Sequence, residues 1–304
     1  MKMNLEWLLS PFDKQEFLDF YLEQQPLVIS RNNPHYFEKL LTLYDLNELM
    51  SHAENLGRLD VVLVNAGKKY QLSDYAKVET VGNVHIKSSL NISKALQLLI
   101  QDKATIVINQ AINEWLPLRT LAANYAQELN TIPGANIFIA PPNAECFGAH
   151  FDEHDLFILQ IYGSKHWRIY ENPIFLPLEP QNERNFDFSG LKLLYEIDLQ
   201  QGDILYLPRG FVHDVTTTDR ASVHISFGGQ HLTWASIVKS FVTKLAKNNR
   251  LLRQGMIKDV YDGQTYDQMV LELLKKELEL NFNTPFIESI APKFSFRSSE
   301  VSYF

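Results

Sequence analysis

Two histidines and one aspartate are spaced as a metal site requires. His150 and Asp152 are two residues apart, and His213 follows much later, directly after residues 208–212. Residues two apart in a β-strand point to the same face, so one ion can take both side chains, and a neighbouring strand would supply His213. Two imidazoles and one carboxylate are the ligands of non-haem Fe(II) oxygenases, which keep positions open for a cosubstrate and dioxygen. The three residues therefore predict a catalytic iron site.

His150 and His154 form a competing pair, because residues four apart lie on one face of a helix. The pair lacks the glutamate that directly follows the first histidine in the zinc metalloprotease motif. Residues 156–161 are almost entirely apolar and indicate a strand rather than a helix. The sequence therefore favours His150 with Asp152.

A lysine, a serine and an asparagine are candidates for holding a cosubstrate. Lys165 lies in the stretch Gly-Ser-Lys-His-Trp at 163–167, and its ammonium group predicts an ion pair with the distal carboxylate of 2-oxoglutarate. Such a charge-assisted bond is strong in a partly dehydrated pocket. Ser226 would add a hydroxyl to the same carboxylate, and Asn136 is a further cofactor-binding candidate. Fe(II), 2-oxoglutarate and O₂ are therefore the predicted cofactor and cosubstrates.

Composition indicates an ordinary globular protein of the cytoplasm. The chain has 304 residues and a net charge of −8, which argues against a nucleic-acid binder unless a local basic patch exists. A single cysteine, Cys146, excludes an intramolecular disulfide framework and predicts a reducing compartment. It is interpreted as a loop or core thiol. We find no signal peptide pattern and no apolar run long enough to span a membrane, so no membrane partner is expected.

The chain divides by pattern into a strand-rich part and a helical part. Residues 136–227 show many short apolar runs between turn residues, which predict a mainly β fold with a jelly-roll or cupin-type core. Helices and strands alternate before it, and apolar stripes at helical spacing follow Gly228. We predict one domain over residues 1–230, with a barrel core at about 104–230, and a helical region over 231–304. The last helices can form a homodimer surface, and the aromatic tail at 292–304 is expected to pack.

In these motifs the sequence resembles the JmjC-type branch of the cupin superfamily of 2-oxoglutarate oxygenases, and within it the ribosomal oxygenases. The matching segments are Asn136-Ile-Phe-Ile-Ala-Pro141, His150-Phe-Asp152, Phe157-Ile-Leu-Gln160, Gly163-Ser-Lys-His-Trp-Arg168, Gly202-Asp-Ile-Leu-Tyr-Leu-Pro-Arg-Gly210 and His213. The resemblance implies a double-stranded β-helix core with N-terminal α/β elements and C-terminal helices. It also implies His150, Asp152 and His213 as iron ligands, and Lys165 and Ser226 at the cosubstrate carboxylate.

Two departures from the family pattern bear on function. Phe138 stands where some members have a tyrosine whose hydroxyl helps to bind the cosubstrate. About 75 residues follow Gly229, enough for the dimerising helices of the ribosomal subgroup but not for its complete winged-helix domain. The first departure leaves cosubstrate binding to Lys165 and Ser226, and the second weakens the inference of a ribosomal substrate.

The predicted function is hydroxylation of a protein or peptide side chain. The same cofactor chemistry would also serve an N-methyl-lysine demethylase, a tRNA hydroxylase or an enzyme that modifies a peptide natural product. A non-catalytic metal-binding cupin that serves as an interaction module is the alternative from another class, although it would have no reason to keep all three ligands and Lys165. A cupin isomerase would likewise have no need of Lys165.

Overall fold

The structure is a computed structural model of the 304-residue chain, and it describes residues 2–56, 60–82, 84–178, 188–255, 263–283, 285–286 and 289. The predicted aromatic tail at 292–304 lies outside these residues. The chain forms two compact units, one of residues 1–129 and 133–230 and one of residues 130–132 and 231–304. In the described part, no helix is long and apolar enough to cross a membrane.

Short polar residues start the helices of the first unit. Asn4 and Asp13 precede the first two, and their side-chain oxygens accept hydrogen bonds from the backbone N–H groups of Trp7 and Glu16. This satisfies donors that have no partner within a helix. The α-helices described in this unit are α1 (Leu5–Leu9), α2 (Lys14–Phe20), α3 (Leu43–Leu56), α4 (Leu72–Tyr75), α5 (Ile92–Gln101) and α6 (Leu116–Leu129).

Antiparallel strands make up most of the rest. The strands are β1 (Leu27–Ile29), β2 (Asp60–Asn65), β3 (Lys68–Lys69), β4 (Ala76–Val81), β5 (Val84–Leu90), β6 (Thr105–Asn109), β7 (Thr131–Ala140), β8 (Asp155–Tyr170), β9 (Leu193–Gln200), β10 (Ile204–Leu207) and β11 (His213–His231). The main sheet has the order β1-β10-β8-β11-β7-β6-β2-β3, β9 pairs with β8, and β4 and β5 pair separately. The two longest strands, β8 and β11, lie next to each other at its centre.

Each of these two strands replaces two shorter predicted ones. The sequence predicts separate strands at 156–162 and 165–170 and at 213–217 and 222–227, and the prediction that strands end between them is wrong. Gly163 continues β8 in the left-handed region, with φ +65°. It lies opposite Ser222, and the pairing register shifts between Thr217 and Ser222. The turn-forming residues therefore make a bulge within paired strands, which bends them without ending them.

Large aromatic side chains fill the core of the first unit. Tyr125 on α6 has no exposed surface and contacts Phe157 of β8 and Phe227 of β11, with ring centroids 5.9 and 5.1 Å away. Phe17 on α2 contacts Phe157 from another side, at 5.7 Å. The two contacts of Tyr125 are edge-on, an arrangement that adds to the free energy gained by burial. The helices therefore cover the face of the central strands that carries Phe157 and Phe227.

The second unit contains two long α-helices, α7 (Trp234–Asn248) and α8 (Gly263–Asn281). The hydroxyl of Thr233 accepts a hydrogen bond from the backbone N–H of Ser236 and so caps α7. An apolar cluster forms around Phe241 and Phe286, whose ring centroids lie 5.0 Å apart. The predicted homodimer and the predicted domain boundaries stay predictions.

Replacing Gly163 tests how strongly the bend in β8 depends on glycine. A Cβ atom on Gly163 would lie 1.8 Å from the carbonyl oxygen of Ala221. We expect Gly163→Ala to lower the free energy of unfolding by about 2–5 kcal/mol, from left-handed strain and overpacking together. Gly67 is the matched control, since it also has a positive φ, but a Cβ atom added to it would meet no other atom within 4 Å.

Gly67→Ala should cost only about 1–2 kcal/mol, the strain alone. Urea unfolding followed by circular dichroism measures both variants. Equal losses at the two positions would contradict the role assigned to the contact with Ala221.

Candidate metal centre and its pocket

His150 and His213 are joined through their backbones. The N–H of His150 donates to the carbonyl of His213 at 3.1 Å, and the N–H of His213 donates back at 2.8 Å. The two imidazole centroids lie 4.4 Å apart, and Nε2 of His213 is 3.7 Å from Oδ2 of Asp152. One possible ligand atom from each of the three residues lies within 4.8 Å of the others. The structure thus brings together the three residues that the sequence predicts as metal ligands.

The local structure around His150 differs from the prediction. Residues 150–152 are not part of a strand, and His150 forms only an isolated bridge with His213. Phe151 is fully buried, whereas His150 and Asp152 are partly exposed, so the two polar side chains share the open side. The carbonyl of Asp152 accepts a hydrogen bond from the N–H of Gly210 at 3.0 Å. Pairing with the 210–213 segment therefore aligns the side chains in place of a regular strand.

Both imidazoles are oriented by backbone carbonyls. Nδ1 of His150 lies 2.8 Å from the carbonyl of Gly148, and Nδ1 of His213 lies 3.1 Å from that of Phe211. A carbonyl only accepts, so each Nδ1 carries the proton and each Nε2 keeps a free lone pair. Hydrogen bonds of this kind fix the ring orientation of a metal-ligating histidine.

Burial keeps His213 neutral. Loss of solvent, and next the proximity of His150, lowers the pKa of His213 to about 4, although Asp152 opposes the shift. At neutral pH the ring is therefore unprotonated, as a metal ligand must be. Two imidazoles and a carboxylate are the donor set of a non-haem Fe(II) site.

The three residues line one end of a cavity of about 300 Å³. Lys165, Ser226 and Asn136 line the same cavity, so the structure brings all six predicted site residues together. Ser226 lies opposite Ile158 in the pairing of β11 with β8. Asn136 is also hydrogen-bonded within the protein: its Oδ1 accepts a hydrogen bond from the backbone N–H of Gln110 at 3.0 Å.

Lys165 is a buried cation. Only 2% of its surface is exposed, and burial lowers the pKa of its ammonium group to about 8. Among the described residues, no carboxylate pairs with Lys165 and no acceptor takes a hydrogen bond from its Nζ. The ring of Phe138 lies 5.8 Å from Nζ. Since a buried charge is costly unless it is paired, the cavity suits an anionic ligand.

His224 and Trp167 also line the cavity. The sequence indicates a core position for Trp167, and for His224 either a core position or one near the metal. The ring of His224 stacks on Phe138, with centroids 4.7 Å apart and an interplanar angle of 4°. Nδ1 of His224 and Nε1 of Trp167 are buried without a hydrogen-bond partner in the described structure. A signal for both exists in the sequence: Trp167 is two residues from Lys165, and His224 is two residues from Ser226, so each pair shares one face of its strand.

Residues 113–237 match the family model of the JmjC domain. In shape, the chain is similar to a crystal structure of Escherichia coli YcfD, with a TM-score of 0.58, 18% identity, and coverage of 90% of this chain and 69% of that one. A second structure is that of YcfD, a ribosomal oxygenase from Escherichia coli, in complex with cobalt and 2-oxoglutarate. It has a TM-score of 0.56 and 17% identity, and the match covers 90% of this chain and 68% of that one. The chain therefore carries a JmjC domain, and the predicted jelly-roll fold is confirmed.

Two curated relatives extend the likeness beyond the domain. Ribosomal oxygenase 2 of Bos taurus is 30% identical over 83% of this chain and 54% of its own length. The bifunctional lysine-specific demethylase and histidyl-hydroxylase NO66 of Drosophila yakuba is 28% identical over 83% of this chain and 36% of its own length. The resemblance to the ribosomal oxygenase subgroup is confirmed, and the chain spans about a third to a half of the length of these relatives.

Cys146 lines the cavity, but its thiol is expected to be weakly reactive. Burial raises the pKa of its thiol to about 11, although the charge of Lys165 opposes the shift. At pH 8 we expect the folded protein to react with Ellman's reagent at least about 100-fold more slowly than the urea-unfolded chain, because the thiolate fraction falls tenfold per pKa unit. Equal rates in the two states would show that this thiol is accessible and ionised.

Proposed function

We propose that the chain is an Fe(II)- and 2-oxoglutarate-dependent dioxygenase that hydroxylates a protein or peptide side chain. One observation carries the proposal: a buried lysine, without an ion-pair partner in the described part of the chain, lies in the same cavity as two histidines and an aspartate whose ligand atoms converge. A metal site alone fits many cupins. The added cation matches a ligand with two acidic ends, one at the metal and one at Lys165.

His150, Asp152 and His213 would hold the iron. Hydrogen bonds from Nδ1 to backbone carbonyls keep both Nε2 atoms turned away from the backbone and ready to coordinate. The metal with its cosubstrate supplies the oxidising chemistry, in which 2-oxoglutarate and dioxygen give succinate, carbon dioxide and a hydroxylated product. The protein's part is to fix the ligands and to keep water out of the cavity.

Lys165 would pair with the distal carboxylate of 2-oxoglutarate, with Ser226 and Asn136 as further contacts. The charged bond gains strength because Lys165 is almost fully buried. Phe138 offers no hydroxyl to this ligand, and its ring is stacked on His224. Selectivity for a diacid would therefore depend mainly on one cation.

The names of the relatives support a protein substrate. One is called a ribosomal oxygenase, and another is called both a lysine-specific demethylase and a histidyl-hydroxylase. We favour hydroxylation of a protein or peptide side chain, with demethylation of N-methyl lysine as the second candidate from the latter name. A cytoplasmic location, supported by the single cysteine, and a homodimer formed through the last helices complete the proposal.

Removing one metal ligand should abolish catalysis. We expect His150→Ala and Asp152→Ala to weaken Fe(II) binding at least about 100-fold, since even outer-shell partners are worth 10–100-fold. Succinate production should fall to background. His154→Ala is the matched control, because this exposed histidine lines the same cavity and should change either quantity less than about threefold.

Anaerobic titration with Fe(II) and 2-oxoglutarate, followed by visible charge-transfer absorption, measures binding. Mass spectrometry of lysate proteins then compares the wild type with Asp152→Ala. Gain of one oxygen atom on a peptide supports hydroxylation, and loss of a methyl group supports demethylation. Full succinate production by His150→Ala would overturn the proposed metal site, and an absent charge-transfer band in the wild type would favour a non-catalytic module.

Lys165 should control the cosubstrate rather than the metal. We expect Lys165→Met to weaken 2-oxoglutarate binding about 100-fold, because breaking a buried charge pair costs 2–5 kcal/mol. Without ligand, the same variant should be at least as stable as the wild type in urea, since it removes a desolvated charge. Ser226→Ala removes only a neutral hydrogen-bonding group, so it should weaken 2-oxoglutarate binding by about tenfold or less. Unchanged 2-oxoglutarate affinity in Lys165→Met would contradict the assignment.

A further inference from the structure

His224 is a buried histidine to which the proposed function assigns no role. Only 3% of its surface is exposed, yet it lines the same cavity as Lys165 and Ser226. It lies on β11 two residues before Ser226, so the two side chains share one face of the strand. A polar ring therefore lies on the wall of the cavity, beside a residue that we propose to hold the cosubstrate.

Two aromatic side chains hold the imidazole ring of His224 in place. Phe138 stacks on it, with ring centroids 4.7 Å apart and an interplanar angle of 4°. Trp167 approaches it edge-on, with centroids 6.0 Å apart and an interplanar angle of 82°. A side chain that is already ordered loses less entropy when it contacts a ligand. His224 is thus a preorganised polar group of the cavity.

The two ring nitrogens of His224 differ in their surroundings. Nδ1 is enclosed by protein and has no hydrogen-bond partner in the described structure. Gln160 lies opposite His224 in the pairing of β11 with β8, but its Oε1 also has no partner there, so it does not accept a hydrogen bond from Nδ1. Nε2 is neither enclosed to this degree nor hydrogen-bonded to a described residue. It is therefore the ring nitrogen that faces the cavity.

These surroundings decide which nitrogen carries the proton. Burial, and next the charge of Lys165, lowers the pKa of His224 well below its usual value, so the ring is neutral and has one N–H group and one lone pair. Among backbone groups, a buried N–H without an acceptor is rarer than a carbonyl without a donor. The same preference keeps the proton of His224 off the enclosed Nδ1 and places it on Nε2. The cavity wall thus carries a neutral N–H donor.

We propose that the Nε2–H group of His224 donates a hydrogen bond to the distal carboxylate of 2-oxoglutarate, beside Lys165 and Ser226. This role rests on the proposed function, of which it names a further binding residue. Lys165 and His224 lie around the same ring, since Nζ is 5.8 Å from the centroid of Phe138 and His224 stacks on it. A carboxylate has two oxygens with about four acceptor positions, so it can accept from an ammonium, a hydroxyl and an imidazole group together.

A neutral donor suits a position near a buried cation. A second positive charge would repel Lys165 and would itself have to be desolvated. A neutral N–H group adds a hydrogen bond to the ligand without either cost. Phe138 has no hydroxyl to offer the ligand, and the histidine stacked on it supplies a donor in its place.

The test measures 2-oxoglutarate binding to the zinc-loaded full chain by isothermal titration calorimetry. Zinc has no redox chemistry, so the ligand is not consumed and the readout is a dissociation constant. His224→Phe keeps an aromatic ring but removes both nitrogens, and we expect it to weaken binding at least about tenfold, as for a hydrogen bond to a charged group. His224→Gln places an amide N–H near the position of Nε2 and should bind within about threefold of the wild type. His224→Asn replaces Nδ1 instead and should lose as much affinity as His224→Phe.

A second ligand, 2-oxopentanoate, separates a direct contact from a structural role. It has the same ketoacid end but a methyl group in place of the distal carboxylate, so His224→Phe should change its affinity less than about threefold. His154→Phe is the matched control, because it removes another histidine that lines the cavity, and it should leave both affinities within about threefold of the wild type. Circular dichroism checks that each variant is folded.

The role of His224 is wrong if the wild type and His224→Phe bind 2-oxoglutarate equally well, or if His224→Phe weakens both ligands by the same factor. It is also wrong if His224→Gln loses as much affinity as His224→Phe, since the donor is then restored without effect. A zinc-loaded wild type that does not bind 2-oxoglutarate at all would instead contradict the proposed function itself.

Discussion

The candidate site depends on one buried carboxylate. Asp155, at the start of β8, has no exposed surface, and it accepts hydrogen bonds from the hydroxyl of Tyr206 at 2.5 Å and from the backbone N–H of Arg209 at 3.1 Å. The guanidinium of Arg209 lies 3.5 Å from Asp155 and 2.6 Å from Glu23, so the two carboxylates share its positive charge. A buried charge that loses its partner costs several kcal/mol, so the chain around Arg209 has little freedom. Gly210 is the next residue and His213 comes four residues after Arg209, so the contacts of Asp155 help to hold the segment that carries one candidate ligand.

Lys165 is a buried group of opposite charge to Asp155, and its situation differs. Asp155 is paired within the protein, whereas Lys165 is equally buried and has no carboxylate partner in the described structure. Its pKa, lowered to about 8 by burial, measures how strongly the charged form is disfavoured there. An anion that enters the cavity removes this penalty, which is a source of affinity that a neutral ligand cannot use. The protein is thus less stable than it could be without ligand, and gains selectivity in return.

Local patterns predict the site better than they predict the strands. The shared direction of His150 and Asp152 does not need the expected strand, because pairing with the 210–213 segment produces the same side-chain direction. Gly163 has the local pattern of a turn. The residues around it do not show that the strand paired with it shifts register at the same place. The tie between Asp155 and Arg209 spans 54 residues and has no local signal. Contacts between distant segments decide such features, and single-sequence patterns report only neighbours.

Net charge is the other quantity that a sequence gives only as a sum. A value of −8 disfavours a polyanion at long range, but charges separated by more than about 8 Å are largely screened at physiological salt. What a charged partner meets at contact is therefore the charge of the element it touches. The 27 residues from 231 to 257 carry only basic charges, and the carboxylates that give the chain its net charge lie elsewhere in the sequence. An acidic protein can thus contain a segment with only basic charges, and the effect of charge on a partner has to be judged element by element.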